Sequence, residues 1–238
     1  MSRFKDVPVG LLLGGPSSEA EVSKITGAAI GRALRSTGHT VVEIDPGHGL
    51  DLPARLSAGG VGVVYNALHG TLAEDGRLQG LLDWMGLPYT GEDCRTSAIT
   101  FDKAVSRALA ERAGVPMPAG VVWPSAGAAA RSLDSLPFGL PVVVKPVAEG
   151  SSVGISLVRT PEAWGPALAA AATGEAITVE AFVTGPELSV GVVAAAVAWL
   201  ARAPEAPGPG DAAVAADGGR GSSPPRALGP AADAATPA

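Results

Sequence analysis

From Val7 to about Val193, short Val/Ile/Leu runs alternate with helix-spaced apolar positions. That is the alternation of an α/β protein. Val7 to Leu13 is a continuous apolar run closed by Gly14 and Gly15, as in a strand buried on both faces. A helix is expected from about Ser18 to Gly38, where Ser18 and Glu21 have capping-box spacing. Thr40 to Ile44 and Val61 to Asn66 read as strands. Asp75 to Met85 reads as a helix, with Leu78, Leu81, Leu82 and Met85 on one face and Gly86 closing it. Asp102 caps a further helix that runs to Ala113 and Gly114. Val142 to Lys145, Gly154 to Val158, Ile177 to Phe182 and Leu188 to Val193 are the later strands. Pro161 opens a helix towards Ala172.

The fold class these elements imply is α/β. Strand–helix alternation before residue 90 predicts a mostly parallel, Rossmann-like sheet, and later hairpin-like spacing predicts a mixed sheet. A boundary is expected near residue 98, dividing 1–98 from 99–193. Residues 194–238 form a third segment, in which the text changes sharply by Ala201. Between Ala201 and Ala238 only Val214 and Leu228 are large and apolar, and Ala, Pro and Gly dominate. Such a stretch buries too little surface to offset its ordering entropy, so it is expected to be a disordered low-complexity tail.

Charge and composition exclude several classes. The net charge of −6 provides no positive field for a phosphate backbone, so nucleic acid is not an expected partner. The single cysteine, Cys94, excludes an internal disulfide framework and a Cys-cluster zinc site. The first ten residues lack a signal-peptide pattern. The longest uncharged apolar run, Leu188 to Ala201, is shorter than the ~20 residues of a spanning helix. A cytoplasmic location with no membrane partner is therefore expected.

Four stretches carry candidate chemistry. Gly14-Gly15-Pro16-Ser17-Ser18-Glu19 takes a strand end into a helix, where α/β sheets bind ligands. Glu19 and Glu21 also suit the helix dipole with no ligand at all. Neither the G-x-G-x-x-G fingerprint nor the G-x-x-x-x-G-K-[ST] phosphate loop occurs, and the former absence weighs against a dehydrogenase. His69, in Asn66-Ala67-Leu68-His69-Gly70, follows a strand and precedes a flexible turn. It is placed either for ligand contact or for simple exposure. Lys145 ends an apolar strand before Glu149-Gly150-Ser151-Ser152-Val153-Gly154, a turn whose amides and hydroxyls could surround phosphate oxygens. The bland alternative is a hairpin loop with a solvated lysine. The chain uses four lysines against thirteen arginines, so a lysine here suggests a need for a compact point charge. Glu180 lies inside the apolar Thr178 to Val183 strand, either accepting hydrogen bonds or facing water from an edge.

Together these segments resemble the D-alanine–D-alanine ligases, enzymes of the ATP-grasp fold. LGGPSSEAEVS, NALHGTLAEDGRLQGLLDWMGLPYTG, FDK at Phe101 to Lys103, VVKP with EGSSVG, and VEAFVTGPELSV occur in the family's order. The resemblance implies ATP-dependent joining of two D-alanines through an acyl phosphate, for peptidoglycan synthesis. It implies that Glu19 helps bind the first substrate's ammonium and that His69 lies near its carboxylate. Ser151 would link Glu19 to a mobile loop. Lys103 and Lys145 would contact ATP phosphates, with Glu149, Ser151 and Ser152 in the loop that covers them. Glu180, Phe182 and Val183 would line the adenine, and Glu187 would meet the ribose. The resemblance also implies Mg2+ as a cofactor and a homodimer formed through the N-terminal domain.

The family's third domain carries a Lys-Tyr loop, an Arg on the transferring phosphoryl group and Asp, Glu and Asn magnesium ligands. None is recognisable after Val193, so no metal ligand is assigned. The expectation is a central ATP-grasp subdomain that is only partial, a C-terminal catalytic domain that is missing or frame-shifted, and a chain inactive as written. The alternatives are a non-catalytic nucleotide-binding or dimerising module, and a related ligase with D-lactate or D-serine as acceptor.

Overall fold

In a computed structural model of the chain, residues 4, 6–47, 51–174 and 176–188 are described, all within a unit spanning Met1–Val193. The first apolar run forms β1 (Val9–Leu12), every residue of which is buried. It pairs in parallel with β2 (Val41–Ile44) on one side and β3 (Val63–Asn66) on the other, giving the order β2-β1-β3. The parallel sheet read from the alternation is thus present. A central strand covered on both faces has no solvent side, hence the unbroken apolar run. Between the strands, α1 (Ala20–Ser36) buries only small residues, Ser23, Gly27 and Gly31. A Cβ at Gly27 would lie 2.6 Å from that of Leu13, so the helix approaches the sheet closely only because glycine stands there.

The helix read at Asp75 to Met85 is α3 (Arg77–Trp84); before it comes the short α2 (Leu52–Ala58). Leu78 and Leu82 enter the first core with Leu12, Leu56, Val64 and Tyr89, and Leu81 and Met85 pack beside them. Next come α4 (Cys94–Phe101) and α5 (Lys103–Arg112), hinged at Asp102. The Asp102 carboxylate accepts the amides of Ala104 and Val105 at 2.8 and 2.9 Å, the cap expected of it.

The second sheet contains β4 (Gly120–Pro124), β5 (Val142–Pro146), β6 (Ser156–Val158) and β7 (Ala176–Ala181) in the order β4-β7-β5-β6. All its described pairings are antiparallel, so the expected mixed sheet is not found. One face packs on α6 (Trp164–Ala171) through Trp123, Val142, Val144, Val158, Ile177 and Val179. The opposite face presents Val143 and Lys145 of β5 in register with Glu180 and Thr178 of β7. Alternation along the strands therefore places the polar candidates together on the side away from the core. A four-stranded sheet with its own helix and core is not a fragment, which corrects the expectation of a partial central subdomain. The expected Leu188 to Val193 strand, beyond Leu188, and the expected disordered tail lie outside the described residues.

Candidate active site

The carboxyl ends of β1 and β3 are pinned to each other by one buried hydroxyl. Ser23 Oγ donates to the Ala67 carbonyl at 2.7 Å and accepts the Gly14 amide at 2.9 Å. Asp45, just beyond β2, accepts the amides of Gly15 and Gly47 at 2.9 and 3.0 Å. The Gly15 amide is the main cause holding its carboxyl below the usual range, against the effect of burial and with help from Gly47, Lys24 and Arg55. Ser17 Oγ donates to the His69 carbonyl at 2.7 Å and accepts the Glu19 amide at 3.2 Å. The capping box read at Ser18 and Glu21 is not used. Glu19 stands at the helix N-cap without a side-chain cap bond, because its carboxylate is engaged elsewhere.

Glu19 is 7% exposed, and Ser151 Oγ donates to its Oε1 across 132 residues of sequence. Glycines flank the same carboxylate. A Cβ at Gly70 or Gly150 would come within 2.7 or 2.6 Å of Glu19 Oε2. The first and third motifs therefore meet at one carboxylate, with the second beside them. His69 joins through its backbone, and its Nε2 is buried with no hydrogen-bond partner. Ser151 and Ser152 both adopt positive φ, 45° and 61°. Each such residue stores about 1 kcal/mol or more, and strain of this kind concentrates in ligand-clamping segments.

Two lysines lie close to this turn. Lys103 Nζ donates to the carbonyls of Val147 and Glu149 at 3.3 and 2.5 Å. Burial pushes its ammonium below the ordinary lysine value, the positive charge of Lys145 adds to that, and Glu149, Asp102 and Glu180 oppose it. Lys145 Nζ meets Glu180 Oε2 at 2.7 Å, with the two side chains 21% and 14% exposed. Two cations beside a strained Gly/Ser turn are suited chemically to an anionic, phosphate-bearing ligand. Of the remaining candidates, Phe182 lies under the Arg159 guanidinium, 5.5 Å from the ring centroid. Val183 and Glu187 are exposed and are not drawn into the cluster.

Sequence reasoning missed Ser23, Asp45 and Arg107. The Arg107 guanidinium lies 2.8 Å from Glu111 and 3.6 Å from Glu180 Oε1, and it donates to the Pro118 carbonyl. The i, i+4 spacing of Lys103, Arg107 and Glu111 was the available signal, since it sets all three on one helix face.

A parallel α/β unit followed by an antiparallel sheet, with a Gly/Ser turn facing lysines, defines an ATP-grasp-like protein. Two family models match, "D-ala D-ala ligase N-terminus" over residues 48–92 and "D-ala D-ala ligase C-terminus" over residues 113–203. The chain is a homologue of the D-alanine–D-alanine ligases. It is 48% identical over 195 residues to the D-alanine–D-alanine ligase of Anaeromyxobacter dehalogenans strain 2CP-C, covering 81% of this chain and 62% of that one. The Moorella thermoacetica enzyme of the same name is 39% identical over 191 residues, 78% of this chain and 61% of that one. The chain thus spans about three fifths of the length of these curated relatives. Among solved structures, a Bacillus anthracis D-alanine–D-alanine ligase has a TM-score of 0.65 at 30% identity, covering 75% of this chain and 58% of that one. The Helicobacter pylori ligase has a TM-score of 0.62 at 22% identity, covering 75% and 64%, and speaks for the fold alone.

These matches correct the expectation that the family's C-terminal part is missing or frame-shifted. The C-terminus model begins before β4 and continues to residue 203, past the expected break after Val193. The Ala- and Val-rich text there looked foreign because composition does not register homology carried by small apolar residues. Among the described residues, no group of three His, Cys, Asp or Glu side chains could hold a metal ion. None of these residues is assigned to a magnesium ion. No helix among them is long and apolar enough to cross a membrane.

Proposed function

We propose that the chain carries out ATP-dependent ligation of two D-alanines to D-alanyl-D-alanine, for peptidoglycan synthesis. The observation that carries the reading is the meeting of Glu19 with Ser151. It joins a helix-end carboxylate in the first α/β part to a strained turn beside Lys103 and Lys145. Residues 1–98 serve as the D-alanine-binding part and residues 99–193 as the nucleotide-binding part. Glu19 receives the ammonium of the first D-alanine, and His69 faces its carboxylate. Lys103 and Lys145 bind ATP phosphates, and the turn at Glu149, Ser151 and Ser152 covers them. Glu180 accepts the adenine amino group, with Phe182 and Val183 along the ring and Glu187 on the ribose.

Phosphoryl transfer to a carboxylate depends on positioning and positive charge more than on covalent help. A charge pair at 4 Å is worth about 4 kcal/mol at an effective dielectric near 20, so two lysines offset much of the crowding of negative charge. The reading includes Mg2+ as the ion accompanying ATP, a homodimer through the N-terminal domain, and a cytoplasmic location. The test is incubation of the purified 238-residue chain with ATP, magnesium chloride and D-alanine. ADP release and the dipeptide mass are followed, with L-alanine as control. D-alanine-dependent ADP formation with one dipeptide per ADP is expected. Nucleotide binding without dipeptide would replace this reading with a non-catalytic nucleotide-binding module.

A further inference from the structure

Glu180 is addressed by two cations on different elements. Lys145, from β5, holds Oε2 at 2.7 Å, while Arg107, from α5, stops 3.6 Å short of Oε1. The second distance is too long for a hydrogen bond. The Nη1 atom of Arg107 is buried and has no hydrogen-bond partner. Its other terminal nitrogen is fixed, donating to the Pro118 carbonyl and pairing with Glu111 at 2.8 Å. A buried donor left unpaired is costly, so an Nη1 held one small movement from a carboxylate is poised. Gly120 leaves the space this needs, since a Cβ there would lie 2.8 Å from Nη1 and 3.1 Å from Glu180 Cγ. Thr178 Oγ1, at 3.5 Å, adds only a marginal contact to Oε1. Lys103, at the start of α5, also lies in the field of Glu180.

Lys145 faces a conflict under the proposed function. The same ammonium that binds Glu180 is wanted by the nucleotide's phosphates. Were it to leave, an 86% buried carboxylate side chain would lose its hydrogen-bonded cation. Stranding one member of a buried pair is strongly unfavourable. We propose that Arg107 is a positioning residue that takes over Glu180 when a nucleoside triphosphate draws Lys145 away. The hand-over keeps Glu180 paired and aimed, and it frees Lys145 for phosphate. This inference rests on the nucleotide-binding reading of the site.

The test is calorimetric titration of the full chain with ATP and, separately, with adenosine, which lacks the phosphates. Wild type, Arg107→Met, Arg107→Lys and Gly120→Ala are compared, each checked by thermal melting. Arg107→Met is expected to bind ATP roughly ten- to hundredfold more weakly, the span of one hydrogen bond to a charged group. Its affinity for adenosine is expected to match wild type, because without a second cation Lys145 stays on Glu180 and only the phosphate contact is lost. Arg107→Lys restores affinity for ATP in part. Gly120→Ala, which retains every charge but pushes the guanidinium off, behaves like Arg107→Met. Equal weakening for ATP and adenosine with no rescue by lysine would overturn the hand-over and leave only packing. Wild-type affinity in Arg107→Met would overturn it as well. A wild-type chain that binds no ATP would overturn the nucleotide-binding reading itself and the hand-over with it, an outcome separate from the others.

Discussion

Replacing Ser23 with alanine should destabilise the chain well beyond what the loss of one oxygen suggests. The side chain is fully buried, 0% exposed, and its hydroxyl serves two backbone groups at once. The Ala67 carbonyl accepts from it at 2.7 Å and the Gly14 amide donates to it at 2.9 Å. The substitution leaves one acceptor and one donor buried and unpaired. Each such group costs about 1–3 kcal/mol, so a loss of about 2–4 kcal/mol is expected once partial relaxation is counted. Urea unfolding monitored by tryptophan fluorescence reads this as a lower midpoint at unchanged slope. Because the two groups head the Gly14 to Glu19 and Ala67 to Gly70 segments, D-alanine-dependent turnover should fall too. A loss below about 0.5 kcal/mol, the range of an inert surface change, would refute the idea that this hydroxyl locks the strand ends.

Three further outcomes follow from the same geometry. Gly150→Ala places a Cβ 2.6 Å from Glu19 Oε2. It should lower kcat/KM for D-alanine by roughly a hundredfold, the cost of an ångström-scale misplacement, with little change in melting temperature. The carboxyl of Asp45 is held low in the folded chain, so its contribution to stability is present above the unfolded value near ~3.9 and fades as pH falls through the folded one. The midpoint gap between wild type and Asp45→Asn should therefore narrow below about pH 4; a constant gap from neutral to acid pH would contradict it. Lys103, whose ammonium is pushed below the ordinary lysine value mainly by burial, should lose its charge earlier than an exposed lysine on alkaline titration. KM for ATP should rise over that range, and Lys103→Arg should flatten the rise.

Much of the fold was legible because periodicity reports burial directly. The all-apolar β1 and the Leu78, Leu82 face of α3 were readable from spacing alone. β4 was not, because Gly120 to Pro124 has only Val121 and Val122 as β-branched residues, and it becomes a strand only by pairing with β7. α2 and α4 were missed because neither repeats large apolar residues at helical spacing: α2 offers Leu52 and Leu56 alone, and α4 only Ile99 and Phe101. The capping box at Ser18 and Glu21 was a correct pattern with the wrong outcome, since Ser17 and Glu19 are tied to segments distant in sequence. The site split along the same line. Its lysines and its Gly/Ser turn stand out locally, whereas Arg107, Asp45 and Ser23 act through contacts that no single stretch of sequence contains.

The central claim is phosphoryl transfer to the carboxylate of D-alanine. The most direct test uses D-alanine labelled with 18O in its carboxylate, incubated with ATP, magnesium chloride and the full chain. If an acyl phosphate forms and the second amine displaces its phosphate, one carboxylate oxygen leaves with the phosphorus. The released phosphate should then carry one 18O for each dipeptide made. Phosphate released without label, or released at the same rate with D-alanine omitted, would contradict the account.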